Sequence, residues 1–249
     1  MKKSEIIRLT AFVLMIILLS GISPVFSAAD EGYDIVNDNT SLNNEVIDSD
    51  IGKTVEDKAS RIAYLTFDDG LDSKVTPQIL DILKEYDVKA TFFILGNSVS
   101  KNKDVLKRII DEGHSVGNHT YTHKKSIIYT SVKSFSEELA KTAKAIYDAV
   151  GITPKLFRPP YGARYIKNQE YKDALSEYKT ILWNVDSMDS RVKGITSTEI
   201  VDTVKEQLKS KRNATILFHS TSAREETAKA LPEIIQYLIE NEYSISKLE

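Results

Sequence analysis

One stretch of this chain places two adjacent carboxylates where acid–base or metal chemistry could occur. In YLTFDDG at 64–70, an apolar run ends at Asp68, Asp69 and Gly70. Successive side chains of a strand point to opposite faces, so this pair cannot easily flank one glycosidic bond as the acids of a glycosidase do. Two interpretations remain for the stretch alone: an ordinary Asp-Gly turn, or a metal ligand beside a base.

A second stretch, GNHTYTH at 117–123, contains two of the four histidines. The i, i+4 spacing of His119 and His123 predicts a helical turn on which both imidazoles reach one divalent ion. A carboxylate as third ligand would leave positions free for water and substrate. For this stretch alone, a capping or surface pair of histidines is the alternative.

Arg158 begins a third group, RPPYG at 158–162. Its two prolines stiffen a loop, and Gly162 permits a tight turn. The guanidinium could hold a carboxylate by bidentate hydrogen bonds, or it could be a solvated arginine on a plain surface turn.

Two more strand-like runs end in polar groups, WNVDSMDS at 183–190 and ILFH at 216–219. Alone, His219 is better explained as a hydrogen-bonded core histidine. At the same edge as a metal site, it becomes a candidate general acid.

The elements that must position these groups follow from an alternation of apolar and amphipathic runs after residue 59. Strands are predicted at 62–67, 90–95, 114–117, 155–157, 180–184 and 214–218. Helices are predicted after an N-cap at Thr76, at 134–150 with Gly151 as its stop, and from a capping box of Thr196 and Glu199. Such alternation indicates parallel strands with helices outside, as a barrel or an open sheet, with the site at the carboxyl ends of the strands.

The amino terminus has the charged, apolar and small-residue order of a secretory signal peptide over residues 1–27. We expect cleavage after Ser27 or Ala29, and membrane association only if the segment remains as an anchor. Residues 28–58 are rich in Asp, Asn, Ser and Glu, which predicts an acidic disordered leader before one domain at 59–249.

Composition excludes several classes of site. The 249 residues include no cysteine, so disulfides, thiolate metal sites and a thiol nucleophile are absent. The predicted domain is nearly neutral, and it offers no strongly basic face for nucleic acid. There is no Gly-x-Ser-x-Gly elbow of a serine esterase.

Five motifs in order carry a family resemblance: TFDDG at 66–70, HTYTH at 119–123, RPPYG at 158–162, VDSMD at 185–189 and LFH at 217–219. Over about residues 59–248 the chain resembles the polysaccharide deacetylases, also called NodB-homology or carbohydrate esterase family 4 proteins. The resemblance implies a single α/β domain, a distorted (β/α) barrel of the NodB-homology type. It also implies a secreted or cell-wall-associated metal-dependent hydrolase that removes N-acetyl groups from N-acetylglucosamine in peptidoglycan or a chitin-like polymer.

Matched by position, the resemblance implies roles for eight residues: Asp68 as catalytic base; Asp69, His119 and His123 as metal ligands; Arg158 as the residue that orients the base; Tyr161 as the source of an oxyanion-binding amide; His219 as catalytic acid; and Asp189, rather than Asp186, as its tuning partner. The expected metal is zinc, and Co²⁺, Ni²⁺ and Mn²⁺ suit the same ligands. The expected partner is an acetylated polysaccharide, bound by a monomer.

Ser190 departs from the family pattern, which commonly has Trp after the last aspartate of the fourth motif. An aromatic side chain there would wall the substrate groove, so its replacement leaves the substrate preference open. An O-acetyl esterase acting on acetylated xylan and a catalytically silent glycan-binding domain are the two alternatives.

Overall fold

The computed structural model describes residues 61–249, and the predicted signal peptide and leader lie outside the described residues. The strands are Arg61–Asp69 (β1), Thr91–Ile94 (β2), Ser115–Asn118 (β3), Leu156–Phe157 (β4), Lys179–Thr180 (β5), Val185–Asp186 (β6), Asn213–His219 (β7) and Tyr243–Ser246 (β8). The α-helices are Val75–Glu85 (α1), Gly96–Val99 (α2), Lys103–Asp111 (α3), Lys125–Ile128 (α4), Val132–Val150 (α5), Gln169–Ala174 (α6), Ser197–Leu208 (α7) and Glu225–Glu240 (α8), with a 3₁₀ turn at Ala163–Tyr165.

Strand β1 lies at the centre of the sheet, whose order is β5-β4-β3-β2-β1-β7-β6, with β8 also paired to β1. Every pairing is parallel. In register, Asp68 lies opposite His219 of β7, and Asp69 lies opposite Ile94 of β2. The polar groups that follow these strands therefore meet at one edge.

The sheet curls into a half-barrel, and residues 181–184 connect its two edge strands, β5 and β6. The amide of Ile181 donates to the carbonyl of Phe157 at 2.8 Å, and the amide of Asn184 donates to the carbonyl of Thr215 at 3.1 Å. The chain thus changes partner from β4 to β7 within four residues. The predicted distorted (β/α) barrel is confirmed, whereas the predicted strand at 180–184 is wrong because this change of partner interrupts it.

The core packs the apolar face of the sheet against the helices. Phe67 of β1 stacks on Phe92 and Phe218, with ring centroids 5.1 and 5.5 Å apart. Within residues 61–249, no helix combines the length and apolar character needed to cross a membrane.

Two of the three predicted helix boundaries are confirmed. The capping box of Thr196 and Glu199 begins α7, and Gly151 ends α5 in the left-handed region at φ 73°. Helix α1 differs, because Asp72 Oδ1 accepts from the amide of Val75 while the hydroxyl of Thr76 donates to the carbonyl of Ser220. The predicted Thr76 cap is therefore wrong, since that hydroxyl is used to join α1 to the end of β7.

Candidate active site

Asp69, His119 and His123 converge at the carboxyl edge of the sheet. The Nε2 atom of each histidine is 3.6 Å from Asp69 Oδ1, and the three candidate ligand atoms lie within 4.8 Å of one another. Asp69 Oδ1 is buried and has no hydrogen-bond partner among the described residues. A buried carboxylate oxygen without a donor is costly unless a cation satisfies it, so the donor set fits a divalent ion bound by nitrogen and oxygen.

The backbone around these ligands differs from the sequence predictions. Residues 119–124 form a loop, and Thr120 and His123 have left-handed φ values of 68° and 57°. The predicted helical turn is therefore wrong, although the two imidazoles do meet. Asp69 also has a positive φ, 70°, which turns it toward the same cavity as Asp68 instead of the opposite face expected of a regular strand.

A buried glutamate of α5 holds this loop in place. Glu138 Oε2 accepts from the amides of Tyr121 and Thr122 at 3.0 and 2.7 Å, and from the hydroxyl of Thr122 at 3.0 Å. Both amides lie between the two histidines. The positive φ values of Thr120 and His123 are incompatible with a right-handed helical turn, and the bonds to Glu138 hold the loop in this shape.

His119 is oriented by the backbone of the RPPYG loop. Its Nδ1 lies 2.7 Å from the carbonyl oxygen of Arg158. A carbonyl only accepts, so Nδ1 carries the proton and Nε2 presents its lone pair toward Asp69. Burial lowers the pKa of His119 to about 3, which keeps the imidazole neutral and able to bind a cation.

Arg158 is fully buried beneath the cavity and contacts Asp68 through one nitrogen. Its Nη1 donates to Asp68 Oδ1 and to the hydroxyl of Thr66, each at 2.8 Å. Its Nε and Nη2 face the carbonyls of Ile181 and Leu182 at 3.4 and 3.5 Å. The predicted bidentate pairing is therefore wrong, because the other side of the guanidinium binds the segment that connects β5 to β6.

The ionisation of Asp68 reflects two opposing influences. Burial raises its pKa, and the charge and hydrogen bond of Arg158 counter that rise without cancelling it, so the pKa remains above its ordinary value of 3.8. A carboxylate with a raised pKa is a better proton acceptor, which suits a general base.

His219 and Asp189 form a second pair on the opposite side of the cavity. His219 Nδ1 is 2.7 Å from Asp189 Oδ1, and Asp189 Oδ2 accepts from the amide of His219 and the hydroxyl of Thr227, each at 2.8 Å. Burial alone would lower the pKa of His219, but its hydrogen bond to Asp189 and the charge of that carboxylate outweigh burial and hold the pKa above 6.5. Asp186 instead pairs with Arg191 at 3.0 Å.

These groups surround one cavity of about 370 Å³. Six of the eight predicted site residues line it: Asp68, Asp69, His119, His123, Tyr161 and His219. Arg158 and Asp189 lie behind the lining and contact Asp68 and His219. Ser190 is exposed at the lining, and Trp183 supplies an aromatic side chain to the same cavity.

A profile described as polysaccharide deacetylase matches residues 55–181, about half of the chain. The chain belongs to the polysaccharide deacetylase family. A peptidoglycan-N-acetylglucosamine deacetylase of Bacillus cereus is 39% identical over 157 residues, which are 63% of this chain and 55% of that protein. Another from Listeria monocytogenes is 42% identical over 132 residues, 53% of this chain and 27% of that protein. The chain thus spans about half and about a quarter of the lengths of these relatives.

Solved structures of polysaccharide deacetylases agree with the fold. A crystal structure of a peptidoglycan N-acetylglucosamine deacetylase in complex with 4-naphthalen-1-yl-N-oxidanyl-benzamide aligns with a TM-score of 0.70 and 35% identity. The alignment covers 76% of this chain and 87% of that chain.

Sequence reasoning missed three residues that position the groups of this site: Thr66, Glu138 and Thr227. One of them leaves a signal in the sequence. Glu138 lies on the buried stripe of α5 between Phe135 and Leu139, where a carboxylate is rarely buried without partners. The two threonines leave none, because their partners come from distant parts of the chain.

Proposed function

We propose that this polysaccharide deacetylase family member is a secreted, metal-dependent enzyme that hydrolyses N-acetyl groups of N-acetylglucosamine in peptidoglycan or a chitin-like polymer. One observation carries the proposal: a candidate base, a candidate metal site and a candidate acid line one cavity. The N-acetylglucosamine deacetylase relatives support the N-acetyl substrate. The signal-like residues 1–27 support secretion. We propose that the enzyme acts as a monomer, outside the cell or at the wall.

Asp69, His119 and His123 would hold the cation, with zinc as the proposed metal and Co²⁺, Ni²⁺ or Mn²⁺ as alternatives. When bound, such a cation polarises a carbonyl and lowers the pKa of a bound water to about 7. The neutral state of His119 and the unsatisfied oxygen of Asp69 suit both residues to this role.

Asp68 is proposed as the base that takes the proton of the attacking water. Its Oδ1 is held by Arg158 at 2.8 Å, and its Oδ2 lies 3.7 Å from His119 Nε2, on the metal side of the carboxylate. Arg158 thus orients one oxygen and leaves the other directed toward the cavity. Removal of the guanidinium would leave the carboxylate both mobile and harder to ionise.

His219 is proposed as the acid that protonates the leaving amine. Asp189 binds Nδ1, so Nε2 is left for the cavity, and the same carboxylate stabilises the imidazolium. Tyr161 turns the RPPYG loop at the cavity with a left-handed φ of 63°. We propose that its amide helps to hold the developing oxyanion.

The test is acetate release from an N-acetylglucosamine oligomer by the purified chain after metal removal and after addition of Zn²⁺ or Co²⁺. We expect release only with metal, and a loss of about 10²- to 10⁴-fold in Asp68→Asn because a general base contributes that much. Asp87→Asn, an exposed aspartate after α1, is the matched control. Release without metal, or equal rates in the two variants, would refute the proposal; release only from acetylated xylan would assign the site to O-acetyl esters.

A further inference from the structure

The guanidinium of Arg158 is held firmly at only one of its nitrogens. The two hydrogen bonds of Nη1, to Asp68 and to Thr66, are each 2.8 Å long. Those of Nε and Nη2, to carbonyls of the β5–β6 connection, are 3.4 and 3.5 Å long and therefore weak. A planar group that is tied at one corner can still tilt, so another contact must fix the plane of the guanidinium.

The face of the guanidinium lies over the ring of Phe93. Arg158 Cζ is 4.2 Å from the centroid of this ring, and both side chains are fully buried. A cation over an aromatic face is attracted by the negative potential of the ring, and the attraction grows where water is excluded. The ring centroid of Trp183, which lines the catalytic cavity, is 5.8 Å from the same atom. Phe93 therefore makes the closer of the two aromatic contacts with Arg158.

Close packing fixes the ring of Phe93 in turn. Phe93 of β2 lies opposite Gly117 of β3 in the sheet, and a Cβ at Gly117 would come within 3.0 Å of two carbons of the ring. Leu156, Ile181 and Leu248 complete a small cluster of buried apolar residues around it. The amide and carbonyl of Leu248 bond to hydroxyls at the starts of β2 and β3, at 2.9 and 2.7 Å. The ring thus has little freedom to follow a guanidinium that tilts.

The preceding residue offers a direct comparison. Phe92 is also fully buried, but successive side chains of a strand point to opposite faces, and Phe92 stacks on Phe67 in the main core. A change at Phe92 removes a buried ring of the same strand without touching Arg158. The two residues therefore separate the loss of core packing from the loss of the aromatic face beneath the guanidinium.

We propose that Phe93 is a positioning residue for the base: its ring face sets the plane of the Arg158 guanidinium and, through it, the direction of the Asp68 carboxylate. The inference rests on the proposed function, in which Asp68 takes a proton from the attacking water. Core packing would need only an apolar side chain at position 93, whereas this role needs an aromatic face. A misplacement of about 1 Å can cost about 10²-fold in rate, so a small tilt has a measurable effect.

The first experiment compares Phe93→Leu with Phe92→Leu in acetate release from an N-acetylglucosamine oligomer by the metal-loaded chain. We expect kcat to fall about 10-fold or more in Phe93→Leu with KM unchanged, because the base is misaligned while the substrate binds as before. Phe92→Leu should keep the kcat of wild type. Equal kcat values in the two folded variants would contradict a special role for Phe93.

Fluorinated phenylalanines then separate the charge of the ring from its packing. Trifluoro- and pentafluorophenylalanine keep the ring, and they first weaken and then reverse the negative potential of its face. At position 93, kcat should fall in that order, by about 3- to 30-fold with pentafluorophenylalanine, which is the range expected for a buried cation–π contact. The same residues at position 92 should leave kcat unchanged. An unchanged kcat for the series at position 93 overturns the inference.

Urea unfolding of the metal-free protein tests the contact without activity. Pentafluorophenylalanine at position 93 should raise the equilibrium constant for unfolding about 3- to 30-fold more in the wild-type chain than in Asp68→Asn/Arg158→Gln, where a neutral pair replaces both charges. Any strain caused by the fluorine atoms is present in both backgrounds and cancels. Equal effects in the two backgrounds would show that the ring does not hold the guanidinium.

The two assays distinguish failure of this inference from failure of the proposed function. If wild type releases no acetate from any glycan, the proposed function fails, and the unfolding comparison alone decides whether Phe93 holds Arg158. If wild type releases acetate and fluorination at position 93 leaves kcat unchanged, the function stands and the inference is refuted.

Discussion

The substitution Glu138→Gln tests whether the shape of the histidine loop determines metal affinity. Glu138 Oε2 accepts three hydrogen bonds from Tyr121 and Thr122, between the candidate ligands His119 and His123. Hydrogen bonds to a charged acceptor contribute about 1.5–3 kcal/mol each and neutral ones about 0.5–1.5, a difference of about 1–1.5 per bond, so loss of the charge should weaken the three by about 3–4.5 kcal/mol in total. Part of that loss appears as loop disorder, and we expect metal affinity to fall about 10- to 100-fold, as is usual for partners that orient ligands.

The assay is competition for Zn²⁺ between the metal-free protein and a chromophoric chelator. Glu137→Gln is the matched control, because Glu137 precedes Glu138 on α5 but is exposed. Far-UV circular dichroism and urea unfolding of both variants show whether the fold is kept. Equal Zn²⁺ affinity in the two folded variants would refute the view that Glu138 positions the ligands.

Three further outcomes follow from the buried charges. In Asp189→Asn, His219 loses the partner that raises its pKa, so the alkaline limb of the pH profile of kcat/KM should move to lower pH, with activity reduced about 10²- to 10⁴-fold; an unmoved limb would contradict the assignment of the acid. Burial lowers the pKa of His114 to about 4, below its ordinary 6.5, so the unfolded state binds the proton first and stability is lost as pH falls from 6.5 toward 4. The test is His114→Asn, because the side-chain oxygen of Asn can still accept from the amide of Ala90. In urea unfolding of the metal-free protein, the free energy of unfolding should fall between pH 7 and pH 5 by about 2 kcal/mol less in this variant than in wild type. An identical fall in both proteins would exclude this account. Arg158→Met leaves a buried carboxylate unpaired and should lower the free energy of unfolding at pH 7 by about 3–5 kcal/mol. Arg164→Met, at an exposed arginine, is the control, and an equal fall in both variants would contradict this prediction.

The sequence by itself determined the chemical groups and the edge at which they gather. Asp68 and His219 each follow an apolar run, and parallel strands place their carboxyl ends together whatever the details of the loops. Local signals were equally direct: the capping box at Thr196 and Glu199 and the stop at Gly151 depend only on residues within a few positions.

Only the tertiary structure decided how those groups are held. The spacing of His119 and His123 fits a helical turn, but Thr120 and His123 have left-handed torsions that break it, and Glu138, some 16 residues away, holds the resulting loop. Arg158 bonds to Asp68, 90 positions away, with one nitrogen because carbonyls from the β5–β6 connection occupy its other side. These contacts join distant parts of the chain, and backbone torsions at strand ends follow such contacts instead of local periodicity. Short stretches of sequence therefore identify the chemical groups of the site, whereas the arrangement of these groups depends on contacts between distant residues.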